Sequence, residues 1–277
     1  MRIFETFKPA DKQLQKYVSY YYIDIATEAE YRNQYICYPH FNNTISLYKS
    51  HKVNFENNHS KIFFKPGLLP LQIFTPIRES ILKVSQAGPV HKIGIVFEPF
   101  GVNQFIGQNA ILNQRLSSPE FSLFDDSFLI DLFDENDFNK LVNKLDQYLL
   151  TIFSEVQNSY LSKAINILHQ STDEISIDEL AEHKLGISRK HLNRLFNKYM
   201  GTNVQKYRSI VRFRQLMNHK LQQNSGESLT ALSHQAHYTD QSHFIKACKQ
   251  LTGLTPSQFF KDGQIIGSED TFWKFNN

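Results

Sequence analysis

The chain has 277 residues, of which 41% are hydrophobic and 21% charged, and its formal net charge is +3. That length is room for about two domains of ordinary size, and 13 tyrosines with 23 phenylalanines supply a core, so a disordered or low-complexity chain is excluded. Two cysteines, Cys37 and Cys248, exclude a disulfide framework, and no apolar run approaches the roughly 18 residues of a membrane span, so a protein of the reducing cytoplasm is expected.

The N-terminal residues carry spread charges and no apolar stretch of the signal-peptide kind. The first hundred residues then read as strands. Short β-branched or aromatic runs at 18–25, 43–48, 61–64, 71–74, 80–84 and 92–97 are separated by Pro39, Pro66-Gly67, Pro70, Pro76 and Gly88-Pro89. A barrel or sandwich is predicted. Pro99 is placed to open a helix running through Phe105 to Gly107. Phe121–Phe133 and Asp137–Val156 have helical spacing, with Asp137 as a cap. The apolar stripe of the second suits a dimer surface and packing on its own domain equally. From about residue 158 the chain reads as helical to Lys261, and residues 262–277 have no period and read as a loosely held tail.

Charge is distributed unevenly. Residues 117–155 hold nine acids against two bases, whereas residues 184–249 hold twelve bases against two acids, Glu227 and Asp240. A block this basic inside a folded region suits a polyanionic partner, nucleic acid above all, although a solvated helical surface looks the same by charge alone.

The basic block contains a repeat. Ser176–Tyr207 overlies Ser228–Phe259 at a fixed offset of 52 without gaps, so that Leu180 meets Leu232, Ala181 meets Ser233, Leu192 meets Phe244, Gly201 meets Gly253 and Tyr207 meets Phe259. Each copy has one physical reading. A short helix starts at a serine, with Ser176 and Glu179 forming a capping box. A turn follows, and Ser188 or Asp240 caps a basic helix with an apolar side of Leu192, Leu195 and Phe196, or of Phe244, Ala247 and Cys248. Gly201 or Gly253 ends it in a left-handed conformation. Helix, short turn, basic helix is the helix-turn-helix unit, whose second helix enters the major groove. Residues 207–221, with Arg208, Arg212 and Arg214, join the units as one long helix, where an arginine suits bridging the units as well as touching DNA.

These residues carry a family resemblance. ISIDELAEHKLGISRKHLNRLFNKYMGTNVQKYRSIVRFRQLM, followed by HYTDQSHFIKACKQLTGLTPSQF, resembles the DNA-binding domain of AraC/XylS transcription regulators, and the run from Asp240 to Pro256 is its most specific part. The resemblance implies a bacterial regulator, usually an activator working with RNA polymerase, in which two units dock in major-groove segments one helical turn, roughly 34 Å, apart. The sequence departs from the family pattern at His237, Cys248, Val204 and Leu216, where Gly, Phe, Pro and Ala are usual. Phe7–Val18 and Phe97–Gly101 look like the amino-terminal domain of some of these regulators.

The expected architecture is therefore α+β: a β-rich N-terminal domain with flanking helices over 1–157 for sensing or dimerisation, an all-α double helix-turn-helix domain over 158–261, and a tail over 262–277. On the recognition helices, Lys190, Asn193 and Arg194, with Gln241, Ser242, His243 and Lys246 in the second unit, are the expected base contacts. Arginine suits guanine and asparagine adenine. Arg189, Lys198 and Lys249 are the expected phosphate contacts, and about two-thirds of contacts in such interfaces go to the backbone in any case. A small-molecule effector or dimerisation of the N-terminal half is expected to control binding. The alternative is a regulator governed by a protein partner or by its own abundance.

Catalysis is not expected. Cys37-x-x-His40 lacks further ligands at metal-site spacing, no nucleophile elbow or phosphate loop occurs, and Asp125-Asp126 reads as a helix start. An enzyme fused to the DNA-binding half would need a reactive cysteine, for which Cys37 alone offers little. No cofactor, metal or membrane partner is expected.

Overall fold

A computed structural model describes residues 2–107, 110–170, 175–223, 241–262, 264–265 and 272–275. The strands among them are β1 (Arg2–Phe7), β2 (Val18–Ala26), β3 (Arg32–Cys37), β4 (Thr44–Tyr48), β5 (His51–Glu56), β6 (His59–Phe64), β7 (Leu71–Thr75), β8 (Leu82–Ala87), β9 (Val90–Phe97), β10 (Leu116–Ser117), β11 (Gln264–Ile265) and β12 (Phe272–Phe275). They form two six-stranded sheets, ordered β1-β2-β9-β4-β7-β10 and β11-β12-β3-β8-β6-β5. Pairing is antiparallel except between β6 and β8.

Burial explains why β2 reads as an unbroken apolar run. Tyr20 and Tyr22 face the second sheet, in a cluster with Tyr35, Tyr48 and Val84. Tyr21 and Ile23 face the opposite way, toward helices α1 (Asp126–Asp134) and α2 (Phe138–Ile152). A strand covered on both faces keeps no polar alternation. Its one acid, Asp24, is buried and answered by Arg2 of β1 at 2.9 and 3.3 Å.

Asp125 caps α1 by accepting from the Phe128 N–H, and Asp137 caps α2 by accepting from Asn139 and Lys140. The stripe of α2, Leu141, Val142, Leu145 and Leu149, is buried on the first sheet, which decides for packing on its own domain. Asp146 ties that helix down, accepting from the Tyr21 hydroxyl at 2.6 Å and from the Asp11 N–H at 2.8 Å.

Three sequence expectations are corrected. The helix expected from Pro99 to Gly107 is a single 3-10 turn at Val102–Gln104, because Phe100 takes a left-handed φ of 67° that no right-handed helix passes through. The helix expected over Phe121–Phe133 starts only at Asp126, after its cap. The tail expected to be loose contributes β12, which adds to β3 with Trp273 opposite Cys37, so the end of the chain completes a sheet begun in its first forty residues.

The helices continue as α3 (Ser159–Gln170), a π-helical segment Glu179–Lys184, α4 (Arg189–Met200), α5 (Val204–Gln223), α6 (Gln241–Thr252) and α7 (Pro256–Asp262). The offset of 52 holds residue for residue: it maps Arg189–Met200 onto Gln241–Thr252 and the start of α5 onto that of α7. Leu192, Phe196 and Tyr207 are fully buried, as are their counterparts Phe244, Cys248 and Phe259, while Gly201 and Gly253 are left-handed at φ 68° and 74°. Ser228, Ser233, His237 and Asp240, where the sequence reading expects the second unit's first helix and turn, lie outside the described residues. Leu216 and Cys248 share one buried cluster, so the larger residue at one position offsets the smaller at the other.

The two halves pack closely. Ile77 and Phe100 join the core of the first unit, Tyr38 stacks edge-on to Phe259 at 4.6 Å, and Gly201 lies against the Leu112 carbonyl, which a Cβ would approach to 2.1 Å.

Candidate functional site

The first helix-turn-helix unit is built by local capping. The Ser176 hydroxyl accepts from the Glu179 N–H at 3.0 Å, and Ser188 accepts from the His191 N–H at 3.2 Å, opening α4. With Leu192, Phe196 and Met200 buried, the face of α4 bearing Arg189, Lys190, Arg194 and Lys198 is exposed. On α6, Ser242, Lys246 and Lys249 are exposed, and Gln241 and His243 stand on its first turn. Both helices thus present exposed cations.

The geometry refines single roles. The Asn193 carbonyl oxygen accepts from the Val204 N–H at 3.3 Å, so this side chain already helps start α5. Arg189 pairs with Asp178 at 3.2 Å, an exposed pair of small worth that a phosphate can replace. Arg194 lies 3.5 Å from its neighbour His191. Lys198 lies over the Tyr199 ring at 4.9 Å.

The linking-helix arginines separate. Arg208 donates to the Ile175 carbonyl and so bridges elements. Arg212 lines a groove of about 470 Å³ between α5 and α6 together with Lys206 and Lys246. Glu79, from the segment between β7 and β8, reaches the same groove, accepting from Lys206 at 2.6 Å and from Thr202 at 2.5 Å. Arg214 differs from both. It is 1% exposed and forms part of the wall of a cavity inside the N-terminal half.

Sequence reasoning missed that cavity. It occupies about 60 Å³ between the two sheets, room for a few water-sized groups. Its wall combines residues of the first sheet such as Tyr22, Tyr48 and Lys92, residues of the second such as Tyr35, Trp273 from the end of the chain, and Arg214 from α5. Lys92 is 4% exposed. Its ammonium donates to the Tyr35 hydroxyl at 3.4 Å and lies 4.8 Å from the Tyr22 ring centroid, 5.4 Å from that of Tyr48 and 5.5 Å from that of Trp273. Burial works against the charged form, but Tyr22, Tyr35 and Tyr48 outweigh it and keep the amine protonated, its pKa well above the ordinary lysine value. A lone lysine at an inward strand position gives no sign of this in the sequence, because the aromatic groups around it come from four separate strands.

Nothing in the described residues resembles a reactive thiol or a metal cage. Cys37 is buried and its thiol is pushed up by burial, as is that of Cys248, to about 11. His40 accepts from the Asn42 N–H, and no group of three or more His, Cys, Asp or Glu side chains suited to a metal ion occurs among the described residues. No helix there is long and apolar enough to cross a membrane.

Residues 180–262 match the family model described as a helix-turn-helix domain. Over 124 residues the chain is 27% identical to the Msm operon regulatory protein of Streptococcus mutans, a match covering 43% of this chain; the chain spans 44% of that relative's length. Among solved structures it is similar to ToxT from Vibrio cholerae, with a TM-score of 0.49 and 10% identity over 93% of this chain and 98% of that one. It is also similar to a transcriptional regulator with an AraC-type DNA-binding domain from Chromobacterium violaceum, with a TM-score of 0.32 and 26% identity over 36% of this chain and 87% of that one.

Proposed function

Since the C-terminal part of this chain is a helix-turn-helix domain of the AraC type, we propose that the whole protein is a sequence-specific transcription regulator, an activator acting with RNA polymerase in a bacterial cytoplasm, and that a small molecule taken up by its N-terminal half controls it. The observation that carries the reading is the repeat. Two basic helices of equal length, 52 residues apart, each present exposed cations, with Arg194 and Lys246 at matching positions, and end in matching left-handed glycines. Two such units on one linking helix suit successive major-groove segments.

Base reading is assigned to Lys190, Asn193, Arg194, Gln241, Ser242, His243 and Lys246, and phosphate binding to Arg189, Lys198 and Lys249. The division at 157 falls in the irregular stretch between α2 and α3. The cavity between the two sheets favours an effector over control by abundance alone.

The test is to immunoprecipitate the protein from its native cells, sequence the bound DNA, and titrate the purified full chain against a recovered fragment at rising salt. Affinity should fall steeply, since each phosphate contact releases counterions. A flat salt titration overturns DNA binding as the function.

A further inference from the structure

The start of α5 lies between the two basic helices. Gln205 lines a hollow with Arg189, Lys190 and Asn193 of α4, and it also lines the groove of about 470 Å³ that holds Lys246 and Gln250 of α6. Gln205 and Lys206 are both exposed. A duplex that meets α4 and α6 together therefore crosses this corner, and what it presents between two major-groove segments is its phosphate backbone. The groove suits a polyanion. Lys206, Arg208, Arg212 and Lys246 line it, and among the described residues the one acid that does is Glu79, which belongs to the other half of the protein.

Glu79 is held as a phosphate would be. One carboxylate oxygen accepts from the Lys206 ammonium at 2.6 Å, and the other from the Thr202 hydroxyl at 2.5 Å. Thr202 is 3% exposed, so the carboxylate is the partner that its buried hydroxyl needs. Both donors stand at the N-terminal end of α5, a 20-residue helix whose positive end adds to the pull on an anion. The segment that carries Glu79 spans both units. Ile77 is buried in the core of the first, and Ile81 packs on the core of the second. Arg78 ties the segment to its own half, donating to the Tyr38 carbonyl at 3.2 Å and to Asn42 at 3.3 Å. Glu79 is therefore fastened to the N-terminal half and reaches across to the seam between the units.

We propose that Lys206 and Thr202 form the seat of a DNA phosphate between the two major-groove contacts, and that Glu79 occupies this seat in the unbound protein as an internal competitor. The seat rests on the reading of the chain as a DNA-binding regulator, and it adds a place where the two halves communicate. DNA and the N-terminal half cannot hold Lys206 at once. A state of the N-terminal half that withdraws Glu79 frees a cation for the duplex, whereas one that keeps it seated sets a negative charge against the backbone. The Lys206–Glu79 pair is partly exposed, with 56% and 35% of the two side chains accessible, so it is weak enough to be exchanged.

Purified full-length protein is titrated at several salt concentrations with a duplex carrying a site recovered from its native cells, and with an unrelated duplex of equal length. Glu79→Gln should bind both about two- to fivefold more tightly than the wild type, the range that an exposed ion pair allows. Lys206→Met should bind both more weakly and lower the salt slope by about one. In Lys206→Met/Glu79→Gln the gain from Glu79→Gln should be lost, because the two residues act through one contact. Glu56→Gln removes an acid of the same half that pairs with Lys61 away from the groove, and it should leave affinity unchanged. Unchanged affinity in Glu79→Gln, a full gain that survives without Lys206, or an equal gain in Glu56→Gln overturns the competitor. Should Glu79→Gln fail to fold, Glu79→Ala takes its place in the cycle. Wild type and Glu79→Gln that both bind neither duplex overturn the DNA reading and the seat with it. Binding that is blind to Glu79 leaves the DNA reading standing and refutes the competitor alone.

Discussion

The repeat provides a controlled measurement of how tightly the two halves are joined. Gly201 and Gly253 occupy the same position in the two units, both with left-handed backbone, at φ 68° and 74°. Alanine at either position carries the left-handed penalty of about 1–2 kcal/mol. The surroundings differ. A Cβ at Gly253 would meet nothing within 4 Å, whereas one at Gly201 would lie 2.1 Å from the Leu112 carbonyl oxygen and 2.5 Å from its carbon. Those are backbone atoms of a buried residue of the N-terminal half, so no side-chain rotation relieves the overlap. Overpacking of this kind adds about 1–3 kcal/mol. Gly253→Ala should therefore cost about 1–2 kcal/mol and Gly201→Ala about 2–5 kcal/mol. Urea denaturation of the full chain, followed by helical circular dichroism, measures both. Equal shifts for the two variants would refute the docking of Gly201 against Leu112 and with it the close union of the halves.

Three further outcomes are expected. Arg194→Ala should cost about 1–3 kcal/mol on a recovered operator and relax the preference at one base pair in a binding-site selection; an equal loss on every sequence makes Arg194 a phosphate contact instead. Arg2→Met leaves Asp24 buried without its guanidinium and should cost about 3–5 kcal/mol, most of it regained in Arg2→Met/Asp24→Met, as thermal melts of the single and double variants will show. His169 packs edge-on to Phe41 at 4.6 Å and bonds the Tyr207 hydroxyl at 2.9 Å, and burial lowers its pKa from 6.5 to about 4. Below pH 6.5 the unfolded chain takes up a proton that the folded one refuses, so stability is lost as pH falls from about 6.5 toward 4, by at most about 3 kcal/mol from this residue. Urea midpoints across that range should fall with pH, and less steeply in His169→Gln; parallel curves for the two proteins would remove His169 from the account.

Local sequence determined much of this protein. β-branched and aromatic runs located β2, β4, β7 and β9, because a strand covered on both faces has to be largely apolar, and they also located the half-buried β6 and β8. The cap residues Asp125, Asp137, Ser176 and Ser188 marked helix starts through short-range hydrogen bonds that need no distant partner. The offset of 52 exposed two like units, since each repeats the same burial requirement at the same spacing, and the exposed positions between buried ones are where the cations stand.

Tertiary structure decided the rest. β1, β3 and β5 are half-exposed strands whose partners, not their composition, make them strands. Phe100 escapes the helix that Pro99 invites because its side chain is needed against Tyr199 in the other half, 5.7 Å away. Phe272–Phe275 has too few residues to show a period, and only the open edge of β3 turns it into a strand. Arg214 looks like its neighbours Arg208 and Arg212 in the sequence, yet the register of α5 on the N-terminal half turns it alone into the cavity. Lys92 became a buried cation only when four strands closed around it. A charged group's role depends on the dielectric and the counter-charges around it, and those are set by residues far away in the chain.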